Sequence, residues 1–300
     1  MDISTLRTET SNPRTADLDA MSVEQVLRVM NDEDRTVPLA VAAALPQIEA
    51  AVELIVSSLR RGGRLVYLGA GTSGRLGLLD AVECPPTFDT GPDQVLALLA
   101  GGTQAFTVAV EGAEDSAEGA AADVDAAGVG ERDTVVGLAA SGRTPYVIAG
   151  LDRAHARGAA TVAVSCNPGA AASPHADVAI EVDTGPEVLT GSTRLKAGTA
   201  QKLVCNMLTT AAMVQVGKTY RNLMIDMRPT NAKLTDRAER IVAAAAEVDR
   251  STAAEALAGA GGRAKLATVM LLTGTTPEEA AARLDAAAGS VRRATLTVQT

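Results

Sequence analysis

One glycine-rich stretch, Gly69-Ala70-Gly71-Thr72-Ser73-Gly74-Arg75, carries the residue types that hold phosphate groups in proteins. It follows the apolar run 65–68 and precedes a segment whose apolar residues recur at helical spacing. This order predicts a strand, a tight turn and a helix N-terminus whose free N–H groups and dipole attract an anion. The stretch has neither the Gly-Lys-Ser/Thr of a P-loop nor the acidic residue of a dinucleotide fold. We expect Gly71, Thr72 and Ser73 to contact a phosphate.

A second turn of the same chemistry follows the apolar run 134–138. Pro145 suits the first turn of a helix, and the hydroxyls of Ser141 and Thr144 precede it. Capping of that helix would explain one hydroxyl but not two. Because both turns contain Ser-Gly-Arg, they predict one site where hydroxyls and backbone N–H groups surround a phosphorylated sugar. The second turn contributes four candidate contacts, Ser141, Gly142, Arg143 and Thr144.

Two glutamates between these turns are candidates for proton transfer. Glu83 precedes Pro85 and Pro86, which predict that the first helix ends there. A carboxylate at a helix C-terminus faces the unfavourable end of the dipole, which favours a functional role for Glu83. Glu114 belongs to the acidic stretch 111–115, where a solvated surface charge is the simpler interpretation on spacing alone.

A third block, residues 184–202, is rich in hydroxyls and cations and leads into a long apolar helix. It predicts another helix N-terminus that can receive an anion, with Ser192, Thr193 and Lys196 as candidate contacts. A capped helix with a polar loop is the alternative interpretation.

Composition and charge restrict the class of protein. The 300 residues are 47% hydrophobic and only 2% aromatic, which favours helices packed on a sheet over an aromatic-rich β-sandwich. A net charge of −9 argues against a nucleic-acid partner. No apolar run reaches the length of a membrane span and the N-terminus does not resemble a signal peptide, so we expect a cytoplasmic protein.

The cysteines and histidines predict neither a disulfide nor a metal site. Cys84, Cys166 and Cys205 are far apart and lack metal-ligand spacing, so we expect reduced, packed thiols. His155 and His175 are remote from every motif, so neither a His-based metal site nor a catalytic triad is expected.

Five apolar runs separated mostly by helical stretches predict the fold. They are residues 65–68, 95–99, 134–139, 161–165 and 178–182. Runs that are apolar on both faces are typical of a parallel sheet covered by helices, and such sheets bind ligands at the carboxyl ends of their strands. We therefore expect an α/β fold with a doubly wound parallel sheet flanked by helices, followed by a small C-terminal helical appendage.

Three motifs, at residues 69–77, 83–88 and 191–202, resemble the N-acetylmuramic acid 6-phosphate etherase family. That family is related to glucokinase regulatory protein and contains a sugar isomerase (SIS) domain that binds phosphosugars. The resemblance is strong over residues 1–235 and looser in the tail. Together with the polar N-terminus and the Ala-rich helical pattern after residue 236, it predicts three parts: an N-terminal arm with helices at residues 1–60, a SIS phosphosugar-binding domain at 61–236 and a small helical domain at 237–300.

The resemblance also implies a reaction. The family cleaves the D-lactyl ether of N-acetylmuramate 6-phosphate by elimination and rehydration, giving N-acetylglucosamine 6-phosphate and D-lactate in peptidoglycan recycling. It implies a cytosolic homodimer in which Glu83 and Glu114 act as acid and base, and two carboxylates suffice without a metal or other cofactor. A non-catalytic sugar-phosphate regulator and an aldose–ketose isomerase of the same fold are the alternatives.

Overall fold

The predicted strands form one parallel sheet in the computed structural model, which describes residues 5–108, 110–227, 229 and 231–296. The strands are β1 (Leu65–Gly69), β2 (Val95–Leu99), β3 (Thr134–Leu138), β4 (Ala160–Ser165) and β5 (Val178–Glu181). Every residue of β1 and β3 is buried, as expected for central strands covered on both faces. The predicted α/β class is confirmed.

The strand order β2-β1-β3-β4-β5 determines where a ligand can enter. Gly69 at the end of β1 lies opposite Leu99 of β2 and Leu138 of β3, so these three strands end level with one another. After β1 the chain adds β2 on one side of it and then crosses over to add β3 on the other side. Such a reversal is a topological switch point, and it opens a crevice at the carboxyl ends of β1 and β3. Both glycine-rich turns leave the sheet at that point.

The amino ends of β1 and β3 are joined by a buried ion pair. Arg64 donates three hydrogen bonds to the Asp133 carboxylate, from its backbone N at 2.9 Å, Nε at 3.2 Å and Nη2 at 2.7 Å. Burial acts to raise the pKa of Asp133, but the hydrogen bonds from Arg64 and Gly130 outweigh it and hold that pKa below its usual value. The pair stabilises the edge of the sheet opposite the glycine-rich turns.

Packing divides the chain into two compact units, residues 1–82 with 93–209 and residues 83–92 with 210–300. The helices that begin in the first unit are α1 (Val23–Asp34), α2 (Val37–Ala43), α3 (Leu45–Arg60), α4 (Gly71–Phe88), α5 (Ala117–Ala126), α6 (Pro145–Ala156) and α7 (Lys196–Gln215). Its core joins strand residues such as Val66 and Val135 to helix residues such as Val147 and Leu151.

The apolar segment 37–59 forms two helices rather than one. Its break lies at Ala44, just before Pro46, which has no N–H to continue a helical ladder. Within the described part of the chain, no single helix is long and apolar enough to cross a membrane. A bent pair, residues 23–43 and 45–60 at 61° to each other, meets those criteria only when its two parts are combined.

The polar N-terminal arm is ordered against the body of the first unit. The backbone N of Thr8 donates to Asn167 Oδ1 at 3.2 Å, and Thr15 Oγ1 donates to the Val188 carbonyl at 2.8 Å. Thr8 and Thr15 are buried despite their polarity. These hydrogen bonds pair the buried polar groups of the arm, and they hold it in place because the arm has few apolar side chains that could do so.

The second unit contains the helical tail expected from the sequence. Its helices are α8 (Ala232–Ala246), α9 (Arg250–Gly259), α10 (Ala264–Thr273), α11 (Pro277–Ala286) and α12 (Val291–Leu296). Helix α11 begins with a capping box formed by Thr276 and Glu279. Ile225 and Met227, which precede the tail, pack into the same core. Packing therefore groups the segment that contains them with the tail, although the sequence assigned it to the domain at residues 61–236. The three-part domain division stays a prediction.

Candidate active site

Strand β1 and helix α4 touch through two glycines at the first turn. A Cβ on Gly74 would lie 2.3 Å from Leu99 Cδ1 and 2.6 Å from the Gly69 carbonyl oxygen, closer than any side chain can approach. Gly71, the first residue of α4, has a φ of +54°, which favours glycine. The turn therefore brings the helix N-terminus, with its free N–H groups, directly to the end of the strand.

The two hydroxyl residues of this turn have different surroundings. Thr72 is half-buried, and its Cγ2 would be 3.7 Å from a Cβ on Gly198, so the start of α4 lies against the start of α7. Ser73 is 7% exposed, and its Oγ lies 2.9 Å from Oε1 of Gln201 on α7. The sequence analysis did not include Gln201 among the candidate residues. Its position as a polar residue on an apolar helix face could have indicated it.

The second turn follows β3, as predicted, and leads into α6 with Pro145 at its start. Ser141 Oγ accepts a hydrogen bond from the backbone N of Arg143 at 3.2 Å. Gly142 has a φ of +67°, and a Cβ there would lie 2.4 Å from that of Ala170. Thr144 is the N-cap of α6, but its side chain makes no capping hydrogen bond. The half-buried Thr144 hydroxyl is thus not used by its own helix.

The N-terminus of α7 already holds a carboxylate of this chain. Glu187 is fully buried and accepts from the backbone N of Lys196 and from that of Ala197, each at 2.9 Å. Burial raises the pKa of Glu187, and the two N–H groups act against that shift. The expectation that this helix N-terminus would receive an external anion is therefore corrected, because Glu187 caps it.

Lys196 also has a partner within the chain. Its Nζ lies 2.6 Å from Glu33 Oε2, while Arg14 donates to the other oxygen of Glu33 at 2.8 Å. Burial acts to raise the pKa of Glu33, but hydrogen bonds from Lys196 and Arg14 hold it below its usual value. Lys196 is 2% exposed, whereas Ser192 and Thr193 are half-buried. Substrate contacts by these three residues stay predictions.

A cavity of about 210 Å³ in the first unit adjoins the first glycine-rich turn. Gly71 and Glu114 both line it, and so do Arg75 and Glu111. Glu114 is exposed and lies in the short 3-10 turn Ala113–Asp115. The structure thus brings the predicted carboxylate and the start of α4 to one cavity. The sequence had assigned no role to Glu111 or Arg75.

Arg75 stabilises one wall of this cavity. Its Nε donates to the Phe106 carbonyl at 2.9 Å and its Nη2 to the Ala105 carbonyl at 2.8 Å. These bonds fasten the loop after β2 to α4. Arg75 therefore holds in place the loop that connects β2 to the turn carrying Glu114.

Glu83 lies within α4 rather than at its end. The helix continues through Pro85 and Pro86 to Phe88, so the expectation that the prolines end it is wrong. Both rings fit helical backbone angles, and the helix ends where Asp89 takes a φ of +49°. The argument from the helix dipole therefore does not apply to Glu83. Glu83 is exposed and belongs to the second unit, so its place in a site with Glu114 stays a prediction.

The three cysteine side chains are buried, as expected for packed residues. Burial raises the pKa of Cys166 and of Cys205, which makes both poor nucleophiles. Among the described residues, no three His, Cys, Asp or Glu side chains form a group that could hold a metal ion.

Comparison with known proteins identifies close relatives over almost the full length. The chain is 64% identical over 294 residues to N-acetylmuramic acid 6-phosphate etherase from Mycolicibacterium smegmatis, covering 98% of this chain and 99% of the relative. It is 56% identical, with the same coverage, to N-acetylmuramic acid 6-phosphate etherase 2 from Lactiplantibacillus plantarum. Residues 47–155 match the family model of the glucokinase regulatory protein N-terminal SIS domain.

The sheet and its helices also resemble solved structures. A phosphoheptose isomerase from Francisella tularensis aligns with a TM-score of 0.50 and 19% identity, over 63% of this chain and 100% of that protein. At this identity the likeness establishes the shared fold and nothing about substrate.

Proposed function

Because the chain belongs to the N-acetylmuramic acid 6-phosphate etherase family, we propose that it is a lyase that converts N-acetylmuramate 6-phosphate and water into N-acetylglucosamine 6-phosphate and D-lactate. The observation that carries the proposal is the cavity at the switch point of the sheet, lined by both Gly71 and Glu114. A phosphate bound at the α4 N-terminus would then share one cavity with Glu114, one of the two carboxylates that the reaction needs.

The reaction follows from the chemistry of the open-chain sugar. Its C1 aldehyde acidifies the C2 proton, and the lactyl ether at C3 is then a β leaving group. One carboxylate removes the C2 proton while the other protonates the departing ether oxygen, which gives an enal and lactate. Water then adds to C3 and a proton returns to C2, so the same two groups act again with their roles reversed. Glu83 and Glu114 are proposed for these two roles.

The phosphate contacts are proposed on the geometry of the two turns. Backbone N–H groups at the start of α4 and the hydroxyls of Thr72, Ser73, Ser141 and Thr144 follow adjacent strands that end at the same edge of the sheet. Their number suits a phosphate dianion, which offers many acceptor positions and no strong donor.

The cellular context and assembly are part of the proposal. A cytoplasmic location is what the resemblance to the family implies. A homodimer is supported by exposed apolar side chains one turn apart on α1, Val23 at 77% and Leu27 at 62%.

The proposal is tested by incubating the purified chain with N-acetylmuramate 6-phosphate and measuring D-lactate enzymatically. Glu83→Gln and Glu114→Gln should each lower the rate by about 10²–10⁴, the usual contribution of a positioned acid or base. Glu118→Gln is a matched control, because Glu118 is also an exposed glutamate near a helix start but does not line the cavity.

The two roles are separated in deuterated water. The variant that lacks the C2 base should lose exchange of the C2 hydrogen, whereas the variant that lacks only the leaving-group acid should retain it. Lactate release near the wild-type rate by either folded variant would remove that glutamate from the mechanism. Binding without turnover would favour the regulator, and a ketose product would favour the isomerase.

A further inference from the structure

Gln201 is a buried polar residue on an otherwise apolar face of α7. It is 1% exposed, and its neighbours Ala197, Ala200 and Val204 are fully buried. Its Oε1 is the oxygen that lies 2.9 Å from Ser73 Oγ, while its Nε2 is buried without a hydrogen-bond partner among the described residues. A buried amide with two unused donor hydrogens is unfavourable, so this side chain requires an explanation.

The direction of the Ser73 hydrogen bond limits what Ser73 can do. A serine hydroxyl has one hydrogen and two lone pairs. When that hydrogen points to Gln201 Oε1, the oxygen presents only lone pairs elsewhere. Ser73 in this state repels a phosphate dianion instead of binding it, although its backbone N–H remains at the helix N-terminus.

The amide of Gln201 can reverse this direction. Its oxygen and nitrogen are nearly equal in size, so rotation about the last side-chain bond exchanges them with little steric change. After rotation, Nε2 donates to Ser73 Oγ, and the hydroxyl hydrogen is free to point away from Gln201. One of the two N–H donors of the amide that had no partner is then used.

We propose that Gln201 is a positioning residue for the phosphate. Its amide turns when the anion arrives, so that Gln201 Nε2 donates to Ser73 Oγ and the Ser73 hydroxyl donates to a phosphoryl oxygen. This inference rests on the proposed phosphate contact of Ser73 and deepens it. Gln201 itself does not touch the substrate, and it acts only through the Ser73 hydroxyl.

The test is a double-mutant cycle on the full chain, with N-acetylglucosamine 6-phosphate as the probe and Kd measured by calorimetry. Ser73→Ala should weaken binding by about ten- to a hundredfold, the value of one hydrogen bond to a charged group. Gln201→Glu should weaken it by a similar factor, because an ionised carboxylate only accepts and therefore holds the Ser73 hydrogen inward. In the Ser73→Ala background, Gln201→Glu should add no more than about threefold, the remainder being charge repulsion.

Two further variants keep the test decisive. Gln47→Glu adds the same charge at an exposed position of α3 and should leave Kd unchanged. Gln201→Met fills the same space but neither donates nor accepts, so it releases the Ser73 hydroxyl and should weaken binding by only about threefold. If Gln201→Glu fails to fold, the Met variant decides, because a loss of tenfold or more in both backgrounds would overturn the proposal.

A second readout separates positioning from a general structural effect. With N-acetylmuramate 6-phosphate as substrate, Gln201→Glu should raise KM while kcat stays within about threefold, since only the phosphate contact is affected. Displacement of α4 or α7 would lower kcat and the melting temperature as well. An equal effect of Gln201→Glu on Kd with and without the Ser73 hydroxyl would overturn the proposal.

Binding and turnover also distinguish this proposal from the proposed activity. A wild-type chain that binds the phosphosugar with the expected coupling but releases no D-lactate would refute the activity alone. D-lactate release without coupling between positions 73 and 201 would refute the positioning role alone. A wild-type chain that does not bind the phosphosugar would overturn both.

Discussion

The close contact between β1 and α4 leads to a specific prediction for Gly74→Ala. The added methyl would lie 2.3 Å from Leu99 Cδ1, 2.6 Å from the Gly69 carbonyl oxygen and 2.7 Å from the Gly69 carbonyl carbon. The Leu99 methyl can turn away, but Gly69 is backbone of a central strand, and its oxygen accepts a hydrogen bond from the Ala100 N–H. The start of α4 must therefore move away from β1.

The expected loss of stability follows from two opposing effects. Forcing a methyl into a packed contact typically costs about 1–3 kcal/mol, and the unyielding backbone places this site at the upper end. Replacing a helical glycine with alanine returns about 0.5–1 kcal/mol. We expect a net loss of about 2 kcal/mol in the free energy of unfolding.

Gly198→Ala is the matched control, because Gly198 is also a helical glycine close to the same turn. Its added methyl would be 3.5 Å from the Thr193 oxygen, 3.7 Å from Thr72 Cγ2 and 3.9 Å from Leu76 Cδ1, all ordinary contacts. Only the gain in helix propensity then remains, so this variant should be stabilised by up to about 1 kcal/mol.

The two variants are compared by urea unfolding followed by far-UV circular dichroism, since the chain has no tryptophan. With a slope of about 3 kcal/mol per molar urea, their midpoints should differ by about 1 M. Because the displaced helix N-terminus is the proposed phosphate site, Gly74→Ala should also weaken phosphosugar binding. Equal stability of the two variants would refute the claim that backbone contact determines the geometry of this turn.

Two buried charges give further predictions. Asp133→Asn should reduce stability at pH 7 by about 2 kcal/mol through loss of charge-assisted hydrogen bonds from Arg64. Because the folded-state pKa of Asp133 is lowered, its contribution is present above the unfolded pKa and is lost as the pH falls through the folded value. The difference between wild type and variant in urea unfolding should therefore shrink below about pH 4, and a difference independent of pH would contradict this account. Lys196→Met should cost about 1–3 kcal/mol, because the buried Glu33 carboxylate loses one partner but keeps its ion pair with Arg14. If Lys196 is structural, the folded variant keeps its KM in the D-lactate assay, whereas a raised KM would support the predicted substrate contact.

The sequence by itself determined the elements of the fold. Runs such as 65–68 and 134–138 are apolar on both faces, and burial of both faces is a local property that residue type reveals. Gly71 and Gly142 likewise indicate positive φ angles that other residues rarely adopt, and Gly142 also indicates a close approach to Ala170. The parallel sheet, the two turns and the helical tail could therefore be predicted without a structure.

Pairings between distant side chains were decided only by the tertiary structure. Lys196 meets Glu33 from 163 positions away, and Ser73 meets Gln201 from 128 positions away. No local pattern shows that these side chains pair with each other, because a charge or an amide looks the same in the sequence whether it is solvated or paired. Such contacts depend on which helix faces the fold brings together, and that information is spread over the whole chain.

The same reason explains the two corrected expectations. The α7 N-terminus was expected to receive an external anion, but Glu187 reaches it from the preceding loop and satisfies its N–H groups. The prolines at 85 and 86 were expected to end α4, yet the helix continues to Phe88. Residue propensities act over a few positions, whereas capping and helix length are also determined by tertiary packing, which can outweigh them.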